Sequence, residues 1–245
     1  GVIDKKNLKK RRIALIGLPQ AGKKTLFRLL TGRTVTEGRK PGEAVEGVAP
    51  IRDPRVDRLA GICHPQKTTY AENHVVLCPD ASTSSEDRQW LEAARRCDLL
   101  CLVVRAFASD QVYHPAGSVA ADRDLEALNA ELLLADMALV DTRLARIAKD
   151  NRSRKAGEMA LEETVLTRCM QVLEEGERLA DAGLESHELK SVAGLGLITL
   201  LPQLSVFNVG EADVADGPDR NGLAVSALIE EEIMAIEDAD ERNEY

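Results

Sequence analysis

Residues 17–25 have the composition and spacing of a loop that binds phosphate. They read Gly-Leu-Pro-Gln-Ala-Gly-Lys-Lys-Thr and lie between an apolar run at 13–16 and a helix-like segment at 25–30. A glycine-rich turn between a strand and a helix directs backbone N–H groups at an anion, and the helix dipole adds positive charge. An ordinary glycine turn has the same outline, so the pattern favours phosphate without requiring it. The candidate phosphate-binding residues are Gly17, Leu18, Pro19, Gln20, Ala21, Gly22, Lys23, Lys24 and Thr25.

The charged residues around this loop decide whether it also holds a metal. Lys23 stands where such loops place the lysine that reaches the β- and γ-phosphates, and the next residue is ordinarily a Ser or Thr that ligates Mg²⁺. Here that residue is Lys24, which we expect either to pair with Asp80 or to touch the β-phosphate. Asp80 follows an apolar run at 73–78, the place of a Walker B carboxylate, although a turn-initiating Asp occurs there too. The sequence leaves Mg²⁺ open, with no confident metal ligand and no assigned catalytic residue.

Composition narrows the class of protein. The 245 residues are 44% hydrophobic and 30% charged, which is ordinary for a soluble globular protein. A net charge of −9 argues against a general coat of nucleic acid. No apolar run approaches the ~20 residues of a membrane helix, so we expect no membrane contact. The five cysteines are scattered and form no CxxC pair, which favours reduced thiols without disulfides and a cytoplasmic location.

The segments that must position the loop alternate between strand and helix. Strands are predicted at 13–16, 73–78, 99–104, 195–201, 204–208 and 223–225. Helices are predicted at 25–30, 56–62 and 86–96, with an acidic helix from the last strand to residue 245 and a loop at 32–47. This alternation predicts a doubly wound, mostly parallel α/β sheet of the P-loop NTPase type.

Between residues 122 and 188 glycine nearly vanishes and Ala, Leu, Glu and Arg dominate. This predicts an antiparallel α-helical coiled-coil hairpin with a turn at 150–153, inserted as a domain at 122–190 into a nucleotide-binding domain at 1–121 and 191–245. Its first apolar seam is Leu125, Leu128, Leu132, Ala135 and Leu139. The turn is basic, and a solvated tip is the simple interpretation, with RNA contact as the functional one. The candidate RNA-contacting residues are Arg143, Arg146, Lys149, Arg152, Arg154 and Lys155.

Several stretches, taken in order, resemble the Obg-like ATPases of the YchF type, which are P-loop NTPases related to translation factors. Residues 17–27 are similar to the family's GLPNVGKSTLF, and residues 53–59 to its DPRLDKL. Residues 104–107 with His114, and residues 124–136, resemble its fourth strand and the start of its insertion. The similarity spans essentially the whole chain, whereas the family's C-terminal TGS domain is absent.

The resemblance also implies how the base is read. Residues 208–211 match the family's NxxE motif, and residues 226–227 match its last base-contacting loop. It implies that Asn208 and the neighbouring backbone recognise adenine rather than guanine. The implied base-binding residues are Asn208, Val209, Glu211, Ser226 and Ala227. The family's association with translation implies the ribosome or RNA as a partner.

This chain departs from the family pattern where metal and γ-phosphate chemistry would occur. Gln20 replaces an Asn, and Lys24 replaces the Mg²⁺-ligating Ser. Residues 40–43 lack the expected switch I Thr, and residues 80–83 lack the switch II glycine. We therefore interpret the chain as an ATP/ADP-binding protein with weak or absent hydrolysis.

Two alternatives to this interpretation stay open. One is an active Mg²⁺-dependent ATPase or GTPase that uses ATP or GTP, with Thr25 or a relocated carboxylate replacing the lost ligand. The other is a helical interaction protein whose nucleotide pocket is vestigial. The retained Lys23, Gly17 and Gly22 argue against the second alternative.

Overall fold

Six strands form one sheet in the order β2-β3-β1-β4-β5-β6, in a computed structural model that describes residues 10–35, 42–83, 88–110, 112–150, 156–214 and 222–236. The strands are β1 (Arg12–Ile16), β2 (Val45–Ile51), β3 (Ala71–Leu77), β4 (Leu99–Arg105), β5 (Gln203–Asn208) and β6 (Leu223–Val225). Neighbouring strands are parallel except for β2 with β3. This confirms the mostly parallel α/β sheet. Its strand order reverses between β1 and β4, so a ligand crevice is expected at the carboxyl ends of these strands.

Helices cover both faces of the sheet. They are α1 (Lys23–Thr31), α2 (Pro54–Cys63), α3 (Ala121–Asp150), α4 (Ala156–Glu174), α5 (Ser186–Val192) and α6 (Ala227–Ala235). Leu100 and Leu102 of β4 are buried against the face that α3 covers, whereas Val103 is buried with Phe27 of α1 on the other face. Successive strand residues point to opposite faces, so a run of apolar residues such as β4 fits a strand with both faces covered.

The long helix α3 packs against two different cores. Leu128, Leu132 and Ala135 belong to the core of the sheet, whereas Val140 and Ile147 pack with residues of α4. The prediction that the 125–139 seam faces the second helix is therefore wrong for its central residues. Apolar spacing of three and four identifies a buried helix face but not the element that covers it. The proposed domain boundaries at 121–122 and 190–191 stay a prediction.

The return segment at 195–201 is not the predicted strand. It forms 3-10 turns at Ala193–Leu195 and Ile198–Leu200. The fully buried carboxylate of Asp136 accepts hydrogen bonds from the backbone N–H groups of Ile198 (2.9 Å) and Thr199 (2.8 Å), and from the Thr199 hydroxyl (2.7 Å). These amides are therefore bonded to a side chain of α3 instead of a neighbouring strand.

Three other predicted segments also differ from the structure. The helix expected at 86–96 is two 3-10 turns, Gln89–Leu91 and Ala94–Arg96, and residues 84–87 lie outside the described part. Strand β2 was not predicted, because glycine, proline and charged residues interrupt its apolar pattern. The acidic helix α6 ends at Ala235, and residues 237–245 of that prediction also lie outside the described part. In the segments that the structure describes, we find no helix with the length and apolarity needed to traverse a bilayer.

Candidate phosphate-binding site

The loop between β1 and α1 touches two other strand ends. A Cβ atom on Gly17 would lie 2.3 Å from the carbonyl oxygen of Val103, and one on Gly22 would lie 2.2 Å from Nδ2 of Asn208. Gly22 also has a φ of 94°, which disfavours any side chain, and it precedes the first residue of α1. The two glycines therefore allow the backbone to approach β4 and β5 closely. This approach brings the loop to the reversal point of the sheet.

Lys23 is buried beneath the loop and has three acceptors. Its side chain is 3% exposed, and Nζ donates to the carbonyl oxygens of Gly17 (2.7 Å) and Leu18 (3.3 Å). The third contact is an ion pair with Oδ1 of Asp80 at 2.5 Å. Burial lowers the pKa of Lys23, and the carboxylate of Asp80 partly offsets that effect. The Lys23 ammonium is therefore buried at the predicted phosphate-binding loop.

Asp80 is joined to the loop through both its side chain and the adjacent backbone. Half of its side chain is exposed, and the next residue, Ala81, donates its N–H to the Gly17 oxygen at 3.0 Å. The hypothesis that Lys24 pairs with Asp80 is wrong, because Lys23 is the partner and Lys24 is exposed. The first turn of a helix directs consecutive side chains ~100° apart, so only one of the two lysines can lie beneath the loop. Thr25 follows Lys24 and is half-buried.

Asn208, at the end of β5, connects the loop to the start of α6. Its buried side chain donates through Nδ2 to the carbonyl of Ala21 (3.2 Å) and accepts through Oδ1 the N–H of Ala227 (3.0 Å). Ser226 accepts the N–H of Ile229 and caps α6. One hydrogen and one lone pair of the Asn208 amide are not used in these two bonds.

The other predicted base-binding residues lie around Asn208. The Val209 N–H bonds the Val225 carbonyl at 3.0 Å, whereas Glu211 is exposed at the start of the 3-10 turn Glu211–Asp213. The structure therefore brings Asn208, Val209, Ser226 and Ala227 to one edge of the sheet. Their contact with a base stays a prediction.

A buried His–Asp pair beside the loop was not assigned a role from the sequence. Nε2 of His114 bonds Oδ2 of Asp124 at 2.8 Å, and Nδ1 accepts the N–H of Ala116 at 3.1 Å. Because Nδ1 is an acceptor, the ring proton lies on Nε2 and is donated to Asp124. Leu18 and Pro19 of the loop line the same cleft as this pair. His114 lies between β4 and α3 and Asp124 lies in the first turn of α3, and their spacing in the sequence does not show that they meet.

Comparison with known proteins places the chain in a family, although no protein-family model matches it. It is 30% identical to the ribosome-binding ATPase YchF of Haemophilus ducreyi over 247 residues, which cover 93% of this chain and 68% of that protein. The ribosome-binding ATPase YchF of Escherichia coli O157:H7 is 30% identical over 254 residues, which cover 96% of this chain and 69% of that protein. This chain belongs to the YchF family.

A solved YchF structure has the same fold as this chain. The Schizosaccharomyces pombe YchF GTPase superposes with a TM-score of 0.77 at 24% identity, covering 96% of this chain and 70% of that one. The two proteins therefore share their overall fold. The roles of individual residues do not follow from this superposition.

The basic residues expected at the hairpin turn of this YchF-family chain are described only in part. Arg143 forms an ion pair with Glu162, with Nε and Oε1 2.7 Å apart. Arg146 and Lys149 are exposed. Arg152, Arg154 and Lys155 lie outside the described residues. Arg143 is therefore engaged within the helical pair, and Arg146 and Lys149 are the described candidates for contact with RNA.

The residues around the phosphate loop do not fit Mg²⁺. The expected hydroxyl ligand is replaced by the ammonium of Lys24, which cannot coordinate a cation, and the Asp80 carboxylate is paired with Lys23. Within the described ranges no group of three or more His, Cys, Asp or Glu side chains could hold a metal ion. The five cysteines carry free thiols, and burial raises the pKa of both Cys78 and Cys101 to about 12.

Proposed function

We propose that this chain binds an adenine nucleotide, ADP or ATP, at the loop between β1 and α1, with weak or absent hydrolysis. The observation that carries the proposal is the buried Lys23 ammonium beneath a glycine loop whose backbone contacts β4 and β5. A buried cation with one half-exposed counterion favours exchange of that counterion for another anion. The N-terminus of α1 adds backbone N–H groups that favour an anion. The Asn208 amide adds polar atoms that can hydrogen-bond a base.

Weak hydrolysis is proposed because the groups that would stabilise a departing γ-phosphate are engaged elsewhere. Phosphoryl transfer relies on cations that neutralise charge between the β- and γ-phosphates. Lys24 does not supply a metal ligand, and Asp80 is held by Lys23. His114 already donates its ring proton to Asp124. We propose that turnover is very slow even where binding is tight.

Adenine selectivity is proposed from residues 208–211, which replace the acidic motif that guanine-selective relatives use. The unused hydrogen and lone pair of Asn208 suit the donor and acceptor edge of adenine. The named relatives leave the base open, because the bacterial proteins are called ATPases and the fission-yeast protein a GTPase. Base preference therefore needs a direct measurement.

Isothermal titration with ADP, ATP, GDP and GTP, each with and without Mg²⁺, tests the proposal. We expect ADP to bind more tightly than GDP and ATP turnover to be close to the uncatalysed background. Comparable or tighter binding of GDP would overturn the adenine assignment, whereas absence of binding for all four nucleotides would overturn the proposed function itself.

We also propose that the chain associates with ribosomes in the cytoplasm. The relatives named ribosome-binding ATPases support this partner, and Arg146 and Lys149 offer exposed positive charge on α3 of an otherwise acidic protein. Phosphate contacts release counterions, so the association should weaken steeply with salt. Reversal of both residues, Arg146→Glu with Lys149→Glu, should remove ribosome co-sedimentation.

A matched control for that experiment reverses two exposed cations elsewhere. Arg58→Glu with Lys190→Glu changes the net charge by the same amount on α2 and α5. We expect this control to co-sediment like the unmodified protein. Equal loss in both double variants would mean that overall charge, not the α3 surface, controls the association.

A further inference from the structure

The ammonium of Lys23 has no hydrogen left for a phosphate. Its three hydrogens match three acceptors, which are the carbonyl oxygens of Gly17 and Leu18 and the carboxylate of Asp80. A phosphate oxygen that binds Lys23 must therefore displace one of these acceptors. The properties of the site depend on which acceptor leaves.

Asp80 is the acceptor that can leave by rotation of its side chain alone. Its side chain is 50% exposed and can turn to water, where a carboxylate is fully hydrated. The two carbonyls are part of the loop backbone, whose position is limited by the contact between Gly17 and the Val103 carbonyl. Moving either carbonyl would require the loop to refold. Asp80 is therefore the exchangeable partner of Lys23.

We propose that Asp80 makes this loop selective for nucleoside diphosphates over triphosphates, a specificity that rests on the proposed nucleotide binding. The lysine of such loops reaches the β- and γ-phosphates. The Asp80 carboxylate lies 2.5 Å from Nζ, so a phosphate that binds Lys23 takes the place of this carboxylate. A carboxylate displaced from Lys23 stays attached to the same backbone beside the loop, so it repels the phosphate that takes its place. A triphosphate brings an additional negative charge next to Asp80, and a diphosphate does not.

The burial of Lys23 strengthens this selection. The Lys23 side chain is 3% exposed, so the ammonium and its counterion interact in an environment less polar than water. Removing the charge at residue 80 leaves the ammonium with two neutral carbonyls only. Such a site should bind either nucleotide more tightly, with the larger gain for the triphosphate, because the triphosphate carries the additional negative charge.

The test compares ADP and ATP binding to the full chain by isothermal titration in EDTA. We expect the unmodified protein to bind ADP at least about tenfold more tightly than ATP. Asp80→Asn should bring the two affinities within about threefold of each other and tighten both. Asp141→Asn is the matched control, because it removes the same charge from an exposed position on α3 and should keep the tenfold preference.

A second pair of variants shows whether the charge or the shape of residue 80 controls the preference for ADP. It also provides a second test if one variant does not fold. Asp80→Ser should reproduce the effect of Asp80→Asn, and Asp80→Glu should keep the preference for ADP; thermal unfolding shows which variants are folded. Equal affinities for ADP and ATP in the unmodified protein, or an unchanged ratio in folded Asp80→Asn or Asp80→Ser, would overturn the inference and leave nucleotide binding intact. Absence of ADP and ATP binding in every folded protein would overturn both the inference and the proposed function.

Discussion

The base half of the site, around Asn208, and the phosphate half, around Lys23, are held together by different interactions. Asn208 is neutral and uses one donor and one acceptor to join the loop to α6, which leaves polar capacity for a ligand. Lys23 is charged and buried, and its contacts with Gly17, Leu18 and Asp80 use all its hydrogens. If the proposed nucleotide binds, the base half has unused hydrogen-bonding capacity, whereas the phosphate half must exchange a partner.

The shape of the loop does not depend on the residue that would ligate Mg²⁺. The glycine contacts with Val103 and Asn208 are steric, so they do not depend on which residue follows Lys23. Replacement of a hydroxyl by Lys24 removes a metal ligand without disturbing those contacts. Asp80 forms an ion pair with Lys23.

Lys23→Met should break the phosphate half with the largest effect. We expect ADP affinity to fall at least about 100-fold, ~2.7 kcal/mol, because the only buried cation of the loop is lost. The free energy of unfolding should change by less than about 1 kcal/mol, because an apolar side chain often replaces a buried ion pair without loss and Asp80 can turn to water. Titration calorimetry and chemical denaturation measure the two effects.

The adjacent lysine provides the control for that variant. Lys24→Met makes the same substitution at the exposed neighbour and should change ADP affinity less than about threefold. Similar losses of affinity in the two variants would mean that the phosphate half depends on general positive charge and not on the buried ammonium.

Asn208→Ala should break the base half with a smaller effect on affinity. It removes two buried hydrogen bonds and should lower the free energy of unfolding by about 1–3 kcal/mol. The preference for ADP over GDP should disappear, while ADP still binds through Lys23. Asn129→Ala is the control, because it removes a bond to Gln203 outside the site and should keep the base preference. A retained preference in Asn208→Ala would contradict the role of the base half.

We expect the smallest effect from pH, which acts on ADP affinity through Lys23 of the phosphate half. Burial lowers the pKa of Lys23 below its usual 10.5, so the folded protein releases this proton before the unfolded chain does. Between the two pKa values the unfolded state binds more protons, and the contribution of Lys23 to the free energy of unfolding therefore rises with pH. ADP affinity should fall in the same range, because the neutral amine no longer attracts phosphate. Calorimetry at a series of pH values rising to 10.5, the usual pKa of a lysine, checks this. Affinity that stays constant up to the range of an ordinary lysine would contradict it.

The sequence was sufficient to predict the elements whose local residue pattern determines their secondary structure. The apolar runs of β1 and β4 are buried on both faces and were predicted as strands, and the turn of residues 17–22 was predicted from its glycines. The conformation of residues 195–201 could not be predicted, because it depends on hydrogen bonds to a distant residue. The N–H of Ile198 bonds Asp136, which lies 62 residues earlier in the chain. Partners that distant leave no local pattern.

The location of the candidate site could be predicted from the sequence, but the ion pairs and hydrogen-bonded pairs within it could not. Consecutive lysines look equivalent in the sequence, and only the position of the first turn of α1 decides that Lys23 is buried and Lys24 is exposed. The ion pair between Lys23 and Asp80 follows from that burial. His114 and Asp124 were likewise invisible as a pair, because their contact depends on the fold of the β4–α3 connection.

The central claim is that the buried ammonium of Lys23 binds phosphate without Mg²⁺, and the most direct test is titration of ADP into the unmodified protein with Mg²⁺ and with EDTA. We expect ADP to bind in both conditions, with affinities that differ less than about tenfold, ~1.4 kcal/mol. Lys24→Ser should make binding sensitive to Mg²⁺ without creating hydrolysis, because residues 80–83 still lack the switch II glycine. ADP binding that requires Mg²⁺, or rapid Mg²⁺-dependent ATP hydrolysis by the unmodified protein, would contradict the account.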